Sequence, residues 1–350
     1  DTKDTKDTKD TKDTKDTKEY RMTSPLQDSR DTNPTEIAAR AVIAYKRIAS
    51  QIYKTPLLPS KNIGATLECN LLFKADNFQL TGSFKIRGAS SKMSVMAGSE
   101  KLITASSGNH GIACASAAQA FNRDMTVVLP ETVAQAKLAK IKSYGVSVIL
   151  EGAESGLAEL HAQKLAAETD GLIYVSPYND VDVVAGQGSI GLELLDQHDS
   201  IDNIFISMGG GGLISGIGSV IKSFSPKTRI IGVAAKNSDA LAASMVAGTV
   251  VETEHYATLA DGVAGGMDVG SVTLPLAIET VDEVITCSEA EITASLRRLA
   301  HEEHQLVEGS AALALAGLEQ AANRFKGATN VVLLCGSNYD QATLAPLLAD

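Results

Sequence analysis

The feature that most restricts what this chain can fold into is the run Ser207-Met208-Gly209-Gly210-Gly211-Gly212-Leu213-Ile214-Ser215-Gly216. The apolar stretch Asn203–Ser207 reads as a buried strand, it runs directly into four glycines, and Gly212–Phe224 then reads as a helix. Each glycine placed in a helix costs about 0.5–1 kcal/mol against alanine, so a plain turn explains four in a row poorly. Without Cβ atoms the backbone can bring several N–H groups to one anion, and the start of the helix adds a favourable dipole. The run therefore reads as a phosphate cradle. No Gly-Lys-Ser/Thr follows, which excludes a Walker loop. Counting a GxGxxG pattern from Gly209 or Gly210 ends on Ile214 or Ser215, which disfavours a dinucleotide-dependent dehydrogenase.

Around this run, strands and helices alternate. Strands are expected at 70–75, 102–105, 125–129, 146–150, 173–175, 203–207, 229–234 and 331–334. Helices are expected at 34–51, 83–97, 108–120, 134–144, 155–167, 212–224 and 289–304. Asn33-Pro34-Thr35-Glu36 supplies the start of the first helix, with proline in its first turn. Such alternation means βαβ units, largely parallel sheets flanked by helices, and ligand sites beyond the carboxyl ends of the strands. The fold class is α/β.

Of the 350 residues 44% are hydrophobic and only 4% aromatic, without tryptophan, which suits a core of small aliphatic side chains. The net charge of -11 and the lack of a basic run argue against a nucleic-acid partner. No stretch of 18 apolar residues suggests a membrane span. Cys69, Cys114, Cys287 and Cys335 are scattered and read as reduced thiols of a cytoplasmic protein, and no signal peptide is seen. Residues 1–18 are six copies of Asp-Thr-Lys. With nothing apolar to bury, residues 1–30 are expected to be a disordered, tag-like tail, with Met22 the functional start.

Three further segments carry chemistry. In Thr81-Gly82-Ser83-Phe84-Lys85-Ile86-Arg87-Gly88-Ala89, a lysine stands between Phe84 and Ile86 at the start of a helix. An amine beside apolar groups has a lowered pKa and can form a Schiff base, but these residues alone leave a merely solvated lysine open. In Ala105-Ser106-Ser107-Gly108-Asn109-His110-Gly111, free N–H groups and short polar side chains suit a carboxylate, and a simple helix cap by Ser106 or Ser107 is compatible with that. The fourth segment, Leu334-Cys335-Gly336-Ser337-Asn338, follows the last strong strand and by itself could be only a turn.

Taken in chain order, with the lysine segment first and the glycine run third, the four segments resemble the fold type II pyridoxal-phosphate enzymes (tryptophan synthase β-like), nearest to serine/threonine dehydratases and serine racemase, over about residues 34–345. Softer matches are Ala185-Gly186-Gln187-Gly188-Ser189-Ile190 before Glu193, Ala260-Asp261-Gly262-Val263-Ala264, and Glu308-Gly309-Ser310-Ala311-Ala312. The resemblance implies two domains: a large cofactor-binding one over 34–100 and 179–345, and a small mobile one over 101–178. It implies pyridoxal 5'-phosphate as cofactor, with Lys85 its Schiff-base lysine and the base that takes the substrate α-proton. Gly209, Gly210, Gly211, Gly212 and Leu213 would hold the phosphate, Asn109 the ring hydroxyl, and Phe84 would pack beside the ring. Ser106, Ser107, Asn109 and His110 would grip the substrate carboxylate, largely through backbone N–H groups. Cys335 would face the ring nitrogen, as in animal-type serine dehydratases, and a neutral thiol there cannot keep that nitrogen protonated as a carboxylate would.

The implied reaction is loss of the β-hydroxyl from a 3-hydroxy amino acid such as L-threonine or L-serine, giving a 2-oxo acid and ammonia. The alternatives are serine racemisation, with Ser107 as a second catalytic group, or dehydration of hydroxyaspartate or phenylserine. A homodimer is implied by the resemblance alone. Two features depart from some relatives. Ala234 stands where cation-binding relatives carry a glutamate, so no metal is expected there. The sequence also has no room after Cys335 for the regulatory domain of biosynthetic threonine deaminases, so a catabolic enzyme without isoleucine feedback is expected. His301-Glu302-Glu303-His304 lacks HExxH spacing and reads as a solvated helix face, not a zinc site.

Overall fold

The computed structural model describes residues 32–349; the Asp-Thr-Lys tract lies outside them. Among the described residues ten strands form two sheets: β1 (Leu57–Pro59), β2 (Asn70–Lys74), β3 (Lys101–Ala105), β4 (Asp124–Leu129), β5 (Ser147–Leu150), β6 (Leu172–Tyr174), β7 (Asn203–Ser207), β8 (Arg229–Ala235), β9 (Glu283–Cys287) and β10 (Thr329–Leu333). The six-stranded sheet has the order β1-β2-β10-β7-β8-β9, and the four-stranded sheet the order β5-β4-β3-β6. All pairs are parallel except β1–β2, so the α/β class with mostly parallel sheets flanked by helices stands. The central strands are apolar throughout because helices cover both faces: every residue of β7 is buried, as are all of β8 but Arg229.

Strand order explains why distant segments meet. β10 pairs with β2 on one side, Val331 opposite Leu72, and with β7 on the other, Val332 opposite Phe205. Parallel neighbours end on the same edge. The chain leaving β2 therefore carries Lys85, that leaving β10 carries Cys335 and that leaving β7 carries the glycines, all to one edge. The strands and helices expected from the sequence are present, with ends displaced by at most three residues. Asn33 caps the first helix, Pro34–Ile48, accepting from Glu36 N at 3.0 Å.

Several elements carried no periodic signal. The longest is the helix Val181–Gln197, interrupted in sequence by three glycines. Those glycines allow close packing: a Cβ on Gly186 would lie 2.5 Å from the carbonyl oxygen of Arg87 in the neighbouring helix Lys85–Val95. The helix Gly309–Gln320 is buried on every side over Gly309–Leu318, so no polar face marks its period. Glu303 is not on a solvated face. Its helix, Glu289–Glu302, has already ended, and its carboxylate accepts from Ser60 Oγ and from the amides of Lys61, Asn62 and Ile63. Among the described residues no helix is long and apolar enough to cross a membrane.

A buried cluster of four charges joins these layers. Arg87 donates to Asp76 at 2.8 and 2.9 Å and to Glu193 at 2.6 and 3.0 Å, and Lys74 reaches Glu193 at 2.6 Å. All four side chains are excluded from solvent. Two cations and two anions balance, and Thr55 and Ser189 complete the hydrogen bonding. Neutralising one member leaves an uncompensated buried charge, which costs about 3–5 kcal/mol. Glu193→Gln is expected to lower unfolding stability by about that amount in urea titration; a loss under about 0.5 kcal/mol, typical of a surface site, would refute this role.

Candidate active site

At the shared carboxyl edge lies a cavity of about 410 Å³ whose wall includes Phe84, Lys85, Asn109, the four glycines Gly209–Gly212 with Leu213, and Cys335. The β2 segment, the glycine run and the Cys335 segment thus converge as parallel pairing requires. Asn109 is delivered from the four-stranded sheet, at the first position of the helix that follows β3.

Lys85 opens the helix Lys85–Val95, its amine donating to the carbonyl of Pro177 at 2.9 Å and lying 5.2 Å from the Phe84 ring centroid. Burial lowers its pKa to about 8 against the partial opposition of nearby acidic groups. Burial raises the Cys335 thiol well above its ordinary range, so it presents a neutral S–H to the cavity. In the glycine run, Gly211 takes φ +91°, left-handed backbone that a side chain would strain, and a Cβ there would meet Thr273 at 2.9 Å. Thr273 Oγ1 holds the loop by donating to the carbonyl of Gly210 at 2.6 Å. The first-turn amides of Gly212–Phe224 have no acceptor within their own helix.

The other residues expected at the site are placed differently. Ser106, Ser107 and His110 are not in the cavity wall. The His110 ring is buried and shares a hydrogen bond with the carbonyl of Val175 at 3.0 Å, and burial, followed by the Lys85 charge, lowers its pKa to about 3. A neutral imidazole turned into the core makes no side-chain contact with the cavity. Ser106 Oγ accepts from Gly108 N at 3.2 Å, a turn ahead of the helix; the N-cap residue is Gly108, so neither Ser106 nor Ser107 caps the helix as the sequence allowed.

Several other wall residues have no role in the sequence reading. Glu308 immediately precedes the buried helix Gly309–Gln320 without capping it through its side chain, and burial, aided by the charge of Asp261, raises its pKa to about 7. Its Glu-Gly-Ser context was the only signal in the sequence. Ser310, on the same wall, has a buried hydroxyl without a hydrogen-bond partner. Tyr178, Glu159 and Asp268 arrive from elements that carry no local signature.

The donor set fits pyridoxal 5'-phosphate. Side-chain-free backbone amides at a helix start suit its phosphate, a depressed lysine amine suits its aldehyde, a neutral thiol suits its ring nitrogen, and the orphaned Ser310 hydroxyl lacks only a ligand partner. The fold and this constellation define a lysine-anchored cofactor enzyme. Residues 48–336 match the family model described as "Pyridoxal-phosphate dependent enzyme", and the chain belongs to that family. It is 38% identical to the catabolic L-threonine dehydratase TdcB of Staphylococcus aureus over 296 residues, 83% of this chain and 85% of that one. Threonine deaminase isoform 2 of Solanum lycopersicum, in its processed form, superposes with TM-score 0.85 at 32% identity, over 90% of this chain and 88% of that one. Maize serine racemase superposes with TM-score 0.82 at 30% identity, over 89% and 96%.

An amine is nucleophilic only when neutral, so capture of pyridoxal phosphate by Lys85 should rise with pH with its midpoint near 8. Borohydride trapping followed by peptide mass analysis measures this; a midpoint near 10.5, the ordinary lysine value, would show that the amine is not perturbed.

Proposed function

We propose that the protein is a pyridoxal-phosphate-dependent ammonia-lyase that converts a 3-hydroxy amino acid, L-threonine or L-serine, into a 2-oxo acid and ammonia. The observation that carries this reading is the depressed amine of Lys85 facing the same cavity as the glycine run and a neutral Cys335 thiol. Likeness to a threonine dehydratase and a threonine deaminase supports the reaction class.

When bound, the cofactor would supply a conjugated ring that delocalises the electron pair left at the substrate α-carbon. On this reading Gly209, Gly210, Gly211, Gly212 and Leu213 hold the phosphate through backbone amides, Phe84 packs beside the ring, and Asn109 contacts the ring hydroxyl. Lys85 anchors the cofactor and then, as a free amine, takes the α-proton; with a pKa near 8 a substantial fraction is neutral at mildly basic pH. Cys335 offers the ring nitrogen a weak donor and no charge, which favours loss of the β-hydroxyl over longer-lived carbanion chemistry.

Substrate carboxylate binding by Ser106, Ser107, Asn109 and the backbone at His110 belongs to the same proposal. It calls for the unit at 101–178, built on β3–β6, to close against the unit formed by 34–100 and 179–345, bringing the 106–110 loop to the cavity. Glu159 and Asp268 line that cavity, and two acidic side chains there rank the second carboxyl group of 3-hydroxyaspartate behind threonine and serine. We place the enzyme in the cytoplasm as a homodimer, without a cation at Ala234. The likeness to maize serine racemase keeps racemisation as a second reading, with Ser107 serving the opposite face.

A panel of 3-hydroxy amino acids assayed for 2-oxo acid should give turnover with threonine or serine, and Lys85→Ala should abolish it. Retained turnover in that variant would sink the assignment. Serine recovered from deuterated water as the D-isomer or with α-deuterium would shift the reading to racemisation.

A further inference from the structure

Asn109 sits at the centre of a hydrogen-bond relay whose polarity can be read from one end. The carbonyl of Thr81 can only accept. Asn338 lies 2.8 Å from it, so the atom facing Thr81 is the amide nitrogen, Nδ2. That same Nδ2 lies 2.7 Å from Asn109, so the Asn109 atom it meets is the acceptor Oδ1. The remaining end of Asn109 is then Nδ2, and it donates to Glu308 Oε1 at 2.8 Å. The second oxygen of Glu308 accepts the backbone amide of Asn338 at 3.1 Å, closing the ring. Close packing holds it: a Cβ on Gly82 would lie 2.7 Å from Asn338 Oδ1, and one on Gly336 would lie 2.8 Å from the Glu308 carboxyl. The relay joins the lysine segment, the Ser-Ser-Gly-Asn-His segment, the cysteine segment and the Glu-Gly-Ser segment.

We propose that Asn338 and Glu308 are positioning residues that lock the Asn109 amide with a free N–H toward the cavity, so that the site selects a ligand oxygen that is an acceptor and favours it in anionic form. Asn109 Nδ2 has two hydrogens, and Glu308 takes one. Its Oδ1 is committed to Asn338. The hydrogen left over is what Asn109 offers its ligand. The proposal rests on the reading in which Asn109 faces the ring oxygen of the cofactor. It adds that two residues given no role by the sequence set the ionisation of that oxygen.

Asn338→Asp replaces the donor by an acceptor and removes the reason for Asn109 to keep its orientation. Asn338→Ala removes the donor without adding charge and serves as the second arm. Cofactor-loaded protein is titrated with pH while the visible and near-ultraviolet bands of the bound cofactor are followed, with far-UV circular dichroism and borohydride trapping on Lys85 as parallel readouts. Both variants should retain the fold and trap the cofactor on Lys85. Their visible band should lose intensity, its midpoint moving up by about one pH unit, the size expected when a hydrogen bond to a charged oxygen is lost. In an Asn109→Ala background the Asn338 substitutions should add nothing, since their effect passes through Asn109. An unchanged midpoint in a folded, cofactor-loaded variant would overturn the proposal, as would an equal shift in the Asn109→Ala background. Wild-type protein that fails to trap cofactor on Lys85 would instead overturn the underlying reading.

Discussion

The structure depends on a charge balance made where no water reaches. Arg87 stands two residues after Lys85, and its guanidinium is clamped by Asp76 on one side and Glu193 on the other, with Lys74 completing the neutral set. Lys74 ends β2, Asp76 begins the turn after it, Arg87 lies in the first turn of the following helix, and Glu193 belongs to the helix Val181–Gln197. One cluster therefore ties a strand, the helix that presents the reactive lysine and a helix from a distant part of the sequence. A guanidinium held by two carboxylates has little freedom to rotate. The backbone position of Lys85 follows from a neighbour on the same helix, and its amine is then held by the carbonyl of Pro177.

Given that anchor, parallel pairing does the rest. β2, β10 and β7 are adjacent, and each delivers its segment beyond its carboxyl end. The second sheet adds Asn109 by the same rule after β3 and Pro177 after β6. The glycine run and the Cys335 segment follow strands that are buried almost throughout, and Asn109 stands at a helix start. This combination positions backbone amides while leaving room between the sheets.

Much of the site was legible in the sequence because its parts are local. Four glycines between an apolar strand and a helix announce exposed amides whatever surrounds them, and a lysine between Phe84 and Ile86 announces an apolar setting. Residues whose role arises only from tertiary contact were not legible. Glu308 reads as an ordinary helix start until Asn109 and Asn338 are brought to it. Tyr178 and Asp268 have no local signature, and nothing in the sequence reveals that the His110 ring faces the core, which leaves its backbone for the role expected of that loop. In the fold, Gly212–Phe224 is buried on nearly every side but is announced by the glycines that lead into it, whereas Val181–Gln197, broken by three glycines, and Gly309–Gln320, without a polar face over Gly309–Leu318, have no such lead-in. Glu303 was misread for the converse reason: a polar residue near a helix end looks solvated until the turn that it holds is seen.

The buried thiols carry a consequence of another kind. Burial raises the pKa of Cys114 and Cys287 to about 12 and that of Cys335 well above the ordinary range, and the half-buried Cys69 is raised as well. Oxidants and alkylating agents react with the thiolate, and the protonated thiol is a poor nucleophile. Placing sulfur rather than a hydroxyl against the cavity ordinarily exposes an enzyme to peroxide damage. Here the same dry surroundings that keep the Cys335 proton in place also protect the sulfur, so chemical durability comes with the choice of a neutral donor.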